Sequence, residues 1–153
     1  MYSALVISIA NPLLVGVYDK GNNLVETFSQ EGKTSDILPN IFQNIFSKYG
    51  LKSIFYVNGP GSYMAIKVAY IFLKTICIVK NIELKSADGF CFNQNSPIKA
   101  LGKKYFFNSK NGTIKLDFLK EEDEIKEFLL PDKIDTKIFN QNSLPNYNLP
   151  AIN

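Results

Sequence analysis

The sequence predicts a mixed α/β fold: one sheet-and-helix lobe followed by a smaller second part. Two observations carry this reading. Three short β-branched runs separated by turn residues open the chain, and the hydrophobic period then switches twice from strand to helix and back. With 153 residues and 46% hydrophobic content, the chain can bury a core as one compact body or two small lobes.

Ser3 to Ile9 and Leu13 to Asp19 are apolar, β-branched runs divided by Ala10-Asn11-Pro12, which predicts a strand, a tight turn and a second strand. Lys20-Gly21-Asn22-Asn23 is a turn of residues that tolerate positive φ, and Leu24 to Phe28 completes a three-stranded antiparallel meander. Ile37, Leu38, Ile41, Phe42, Ile45, Phe46 and Tyr49 then recur at helical spacing until Gly50, predicting a first helix. Thr34, Ser35 and Asp36 are its candidate N-caps, and Pro39 is expected in the first turn, where proline is tolerated. Ser53 to Val57 is a strand, Asn58-Gly59-Pro60-Gly61 a sharp turn, and Ser62 the cap of a second helix reaching Lys80. Ile82 to Ser86 is the next strand. A meander followed by strand, helix, strand, helix, strand is the layout of an actin-like (ribonuclease-H-like) lobe.

This lobe is placed at residues 1–93, and residues 94–153 form a second lobe and tail. There, Lys103 to Asn108 and Thr113 to Phe118 flank Ser109-Lys110-Asn111-Gly112, a hairpin. Glu121 to Leu129 is read as a short helix with acidic residues in its first turn. From Asn140 onward the chain is rich in Asn and Pro and is read as poorly ordered or docked as a tail.

Composition excludes several chemistries. All seventeen basic residues are Lys, His and Trp are absent, and the net charge is +3. Without His there is no Ser-His-Asp triad, no Cys-His dyad and no histidine metal ligand. Without Arg there is no arginine finger and no bidentate guanidinium clamp. The lysines are spread along the chain rather than clustered, so no nucleic-acid surface announces itself. Cys77 and Cys91 sit in apolar surroundings and read as buried free thiols. No signal-peptide pattern opens the chain and no apolar run suits a bilayer span, so a cytoplasmic location is expected.

The second helix is apolar nearly all round. On a wheel of about 100° per residue, Ala65, Val68, Ala69, Phe72, Ile76 and Val79 share one face, assigned to the sheet. The opposite face carries Tyr63, Ile66, Tyr70, Leu73 and Cys77, with Lys67 and Lys74 among them. Either another element of the chain covers that face, or a partner does; exposed apolar stripes commonly mark interfaces. The first helix has a similarly wide stripe, so the pair reads as half of a four-helix bundle with another chain.

Gly59-Pro60-Gly61-Ser62 between strand and helix is a geometry that can hold an anion at a helix N-terminus. It reads either as a vestigial phosphate turn or as a tight turn whose glycines admit close packing; it is neither a Walker sequence nor G-x-G-x-x-G. Val57-Asn58-Gly59-Pro60-Gly61-Ser62-Tyr63, followed by Ile66-Lys67-Val68, resembles the TsaB (YeaZ) family signature Gly-Arg-Gly-Pro-Gly-Ser-Phe-Thr-Gly-Leu-Arg-Ile-Gly. Upstream, Thr34-Ser35-Asp36-Ile37-Leu38-Pro39 resembles the family's His-Ser-x-x-Leu-Leu-Pro. The resemblance covers residues 3 to 90. It departs at Met64 and Ala65 (usually Thr-Gly), at Lys67 (usually Arg) and at Ala69 (usually Gly). The first strand, Val6-Ile7-Ser8-Ile9-Ala10, also lacks the carboxylate of nucleotide-binding relatives, and the segment after residue 95 is short for the family, so the resemblance implies that residues 94–153 are a reduced second lobe and tail.

The resemblance implies a non-catalytic scaffold subunit. Such a subunit pairs through a helical bundle with TsaD and works with the ATPase TsaE. The complex threonylcarbamoylates the adenosine beside the anticodon of tRNAs reading A-starting codons. No cofactor is then expected in the isolated subunit, ATP and metal belong to TsaD, and tRNA is met through the complex. On this reading Ile41, Ile45, Tyr63, Ile66, Lys67, Tyr70, Leu73 and Lys74 make the partner interface. The alternatives are an actin-like kinase or ATPase, with Asp19 and Asp88 its nearest candidate acids, or a self-associating module that forms a homodimer in isolation.

Overall fold

A computed structural model describes residues 1–147. Strands β1 (Tyr2–Ile7), β2 (Leu13–Tyr18) and β3 (Leu24–Gln30) form the meander, followed by helix α1 (Thr34–Lys48), strand β4 (Leu51–Val57), helix α2 (Tyr63–Lys80) and strand β5 (Glu83–Ala87). These five strands make one sheet in the order β3-β2-β1-β4-β5. β2 runs antiparallel to β1 and β3, whereas β4 runs parallel to β1 and β5. The parallel pairings follow from helical crossovers, which return the chain to the same end of the sheet.

The central strands are apolar at successive positions because both faces of the sheet are covered. Ala4 and Val6 of β1, with Ile54 and Tyr56 of β4, point into the core shared with α1 and α2. Leu5, Ile7, Phe55 and Val57 point the other way. That second face is closed by the later part of the chain: Ile134 and Phe139 join its core, and the Phe139 ring stacks on Phe55 at 4.2 Å. The Tyr18 hydroxyl donates to the Pro131 carbonyl (2.7 Å), fixing this segment beside the meander. Between the two, β6 (Ile98–Lys99), β7 (Lys104–Asn108) and β8 (Ile114–Phe118) make a small antiparallel sheet around Phe90, Ile98 and Phe106.

Four details differ from the sequence reading. The N-cap of α1 is Lys33, with no side-chain cap; Thr34 already lies inside the helix, so Pro39 falls a turn deeper than expected. Pro39 is exposed, and the hydrogen bond it forgoes lies on the solvent side. The outer face of α1 (Asp36, Asn40, Gln43, Asn44, Ser47) is polar, and its apolar stripe is wholly used against the sheet and α2, as in the Phe42–Phe72 contact at 6.0 Å. Glu121 to Leu129 forms no helix. Asp123 instead caps a turn at Lys120 (2.7 Å), and the main chain of Lys126 and Leu129 bonds to Ser96 and Phe92. Tertiary hydrogen bonds thus override a weak local preference. From Asn140 to Tyr147 the chain is docked; residues 148–153 of the expected tail lie outside the described residues.

Candidate functional site

The turn from Asn58 to Ser62 is built for close approach. The Ser62 side chain caps α2 by accepting from the Ala65 amide (3.4 Å). Gly59 has φ +134°, a backbone conformation that favours glycine. A side chain there would run into the Asn146 carbonyl, and a Cβ on Gly61 would sit 2.7 Å from Ile9 Cγ2 and 3.0 Å from Ile9 Cβ. Gly61→Ala is therefore expected to destabilise the fold by about 1–3 kcal/mol through overpacking, read by urea unfolding. A loss below about 0.5 kcal/mol, the range of ordinary surface changes, would show slack in the turn.

The far side of the turn opens on a cleft of about 1000 Å³ between the meander, the start of α2 and the small sheet, lined by Ile9, Pro12, Phe28, Met64, Ile98 and Phe128 among others. Its walls are mainly apolar. Asp19 and Asp88 do not line it. Asp19 is engaged by the amides of Gly21 and Asn23 (both 2.9 Å) and Asp88 by the amide of Phe90 (2.9 Å). Both are turn and cap residues. Ser8, at the end of β1, donates to the Ala65 carbonyl (3.4 Å). Among the described residues no group of three Asp, Glu, Cys or His side chains is placed to hold a metal ion.

The two cysteines divide. Cys77 is buried in the α2 core as expected, whereas Cys91 is exposed. Both thiols are pushed up to about 11. Burial raises Cys77; at Cys91, whose residue surface is exposed, partial desolvation of the sulfur comes first, and the Asp88 carboxylate, 3.9 Å away, raises it further. They therefore stay protonated at neutral pH and are poor nucleophiles.

The expected partner surface needs correction. Ile41 and Ile45 of α1 are core residues, as are Ile66 and Leu73 of α2, both 0% exposed. They face the sheet and the neighbouring helix and offer nothing to a partner in this fold. Tyr63, Lys67 and Lys74 are exposed and Tyr70 is half-buried. Tyr63 carries the Lys67 ammonium 5.7 Å from its ring centroid. Conversely Val79, assigned to the sheet, is 77% exposed. The true core line of α2 is Ile66, Ala69, Leu73 and Cys77, roughly a quarter turn from the expected one at about 100° per residue.

The face opposite that line is the feature sequence reasoning missed. Met64, Ile71 and Ile78 are all more than half exposed, and half-buried Val68 and exposed Thr75 lie between them. Met64, Val68, Ile71, Thr75 and Ile78 are spaced by four, three, four and three residues, the a/d spacing of a helix that packs along another helix. Adjacent Val79 widens the stripe. The signal was present in the sequence, but on a helix apolar nearly all round no wheel alone ranks one apolar face above another.

No protein-family profile matches the chain, and no curated protein matches it in sequence. Solved structures do. YeaZ from Pseudomonas aeruginosa superposes with a TM-score of 0.61 over 82% of this chain. The chain has a YeaZ-like fold. A crystal structure of an uncharacterized protein with similarity to peptidase YeaZ from Pseudomonas aeruginosa agrees, with a TM-score of 0.59 over 85% of the chain. Identity is 8% in both cases, so the likeness is one of architecture. The chain spans 66% and 64% of the length of those two structures. Within this chain the meander, α1, the Gly59-Pro60-Gly61-Ser62 turn and α2 follow one another in that order, with β4 between α1 and the turn. No helix of the described residues is long and apolar enough to cross a membrane.

Proposed function

We propose that the chain is a non-catalytic scaffold subunit that docks TsaD along the outer face of α2, with TsaE, in the complex that threonylcarbamoylates adenosine beside the tRNA anticodon. The Met64–Val68–Ile71–Ile78 stripe, exposed except at half-buried Val68, carries this reading. A helix already buried on one side has no structural use for a second apolar line, and helix-in-groove or bundle docking uses this spacing. The YeaZ-like fold and the Gly59-Pro60-Gly61-Ser62 signature support the family role. Tyr63, Lys67 and Lys74 remain at the rim of the proposed interface. Ile41, Ile45, Ile66 and Leu73 act behind it, holding α2 in place.

No peptidase activity is part of this reading. This chain has no His, and both thiols are protonated near neutrality. ATP and metal are assigned to TsaD on the same reading, tRNA is met through the complex, and the location is cytoplasmic. The second reading, a homodimer, uses the same α2 stripe. The deciding experiment is co-purification of tagged chain from its own cell extract with mass spectrometry. TsaD in stoichiometric amount is expected; recovery of the chain alone contradicts the scaffold role.

A further inference from the structure

Residues 140–147 cross the edge of the five-stranded sheet and are held almost wholly by their main chain. Ser86, on edge strand β5, exchanges two backbone hydrogen bonds with Asn140: its amide donates to the Asn140 carbonyl (3.0 Å), and the Asn140 amide donates back (2.7 Å). The Ser86 hydroxyl donates to the Asn142 carbonyl (2.7 Å). The buried Tyr56 hydroxyl donates to the Ser143 carbonyl. The Asn58 carboxamide donates to the Leu144 carbonyl (3.0 Å), and the Asn58 carbonyl accepts from the Asn146 amide (2.8 Å). The Tyr147 ring then rests on Tyr63 at 4.4 Å between centroids.

Apart from Tyr147, the side chains of this segment contribute little. Ser143 is buried, but Asn140, Gln141, Asn142, Leu144 and Asn146 are exposed. The floor therefore reads peptide groups, the logic of β-strand addition, in which main-chain bonds give affinity. It is also costly to leave empty. Ser86 and Tyr56 are both 0% exposed, and without a strand above them their hydroxyls lose the acceptors they use among the described residues. A segment with so few apolar contacts opens more readily than the sheet beneath it.

We propose that Tyr56, Asn58 and Ser86 form a main-chain-reading groove for an extended polypeptide segment. Residues 140–147 occupy it in cis as a releasable strap, which the extended segment of a partner polypeptide displaces. The groove lies at the β5 edge and contains none of Met64, Ile71 and Ile78; the strap meets the rim of the α2 face where Tyr147 rests on Tyr63. Tethering gives the strap an effective concentration in the millimolar range, so it competes with any segment offered in trans and sets the threshold for exchange.

The test keeps the full chain. Asn140→Pro with Asn146→Pro removes two main-chain donors from exposed positions and leaves every groove residue in place. A fluorescent synthetic peptide of residues 139–147 is titrated by anisotropy. Saturable binding to the double variant is expected, at least about tenfold tighter than to the unaltered chain because the tethered competitor is weakened. Adding Tyr56→Phe should weaken it again. No saturation with millimolar peptide, equal affinity for the two chains, or indifference to Tyr56→Phe overturns the proposal. Hydrogen exchange on the unaltered chain gives an independent reading should the double variant fold poorly. Asn140 and Asn146 amides should exchange faster than those of Ile54 and Tyr56; equal protection overturns strap release.

Discussion

Replacing Ile71 and Ile78 together by glutamate is expected to abolish docking along α2 while leaving the fold intact. Both residues are largely exposed, at 54% and 70%, and glutamate is at least as good a helix former as isoleucine. The change in stability should stay within about 0.5 kcal/mol per site, as for surface positions without special roles. In a dry interface each uncompensated carboxylate costs several kcal/mol, and every 1.4 kcal/mol is about a tenfold loss of affinity. The pair should therefore weaken association by more than about a hundredfold. Thermal unfolding and light scattering on the same preparation separate the two effects. Undiminished association would remove the stripe from the interface.

Leu73→Ala is expected to do the reverse. Leu73 is 0% exposed and packs with Ala69 and Cys77 in the α1–α2–sheet core. Truncating it leaves a cavity that neighbouring side chains fill only in part, costing about 2–5 kcal/mol. Urea denaturation reads this directly as a lower midpoint at unchanged slope. Association measured on the fraction still folded should persist, because Leu73 faces away from Ile71 on the helix. A loss below about 1 kcal/mol would mean that α2 is seated differently.

These two residues show what the sequence could and could not disclose. The meander, both helices and the β7–β8 hairpin were legible because period, turn residues and β-branched runs agreed locally. The register of α2 was not. Ile66, Leu73 and Ile71 are similar in hydropathy, and only the sheet decides which of them it covers. The cap of α1 was misplaced because Thr34, Ser35 and Asp36 are all good caps, and the backbone used none of them. The acidic run at Glu121–Asp123 suggested a helix, yet Phe128 and Leu130 must alternate with exposed Leu129 to reach the sheet's second face, which an extended chain does. The groove for residues 140–147 rests on main-chain bonds, which leave almost no mark on side-chain identity.

The glycine turn was legible in kind but not in purpose. Gly59 and Gly61 admit Asn146 and Ile9 at close range, which explains them without a phosphate. Asp19 and Asp88 are likewise explained locally, each accepting main-chain amides of its own turn.

The central claim is that the outer face of α2 docks TsaD. The most direct measurement is light scattering after size exclusion on the purified chain mixed with TsaD from the same cell, run beside the Ile71→Glu/Ile78→Glu chain. A one-to-one complex that forms with the unaltered chain and is lost with the double variant is the predicted result. Separate elution of the unaltered chain and TsaD, or a complex that the double variant forms equally well, would contradict it.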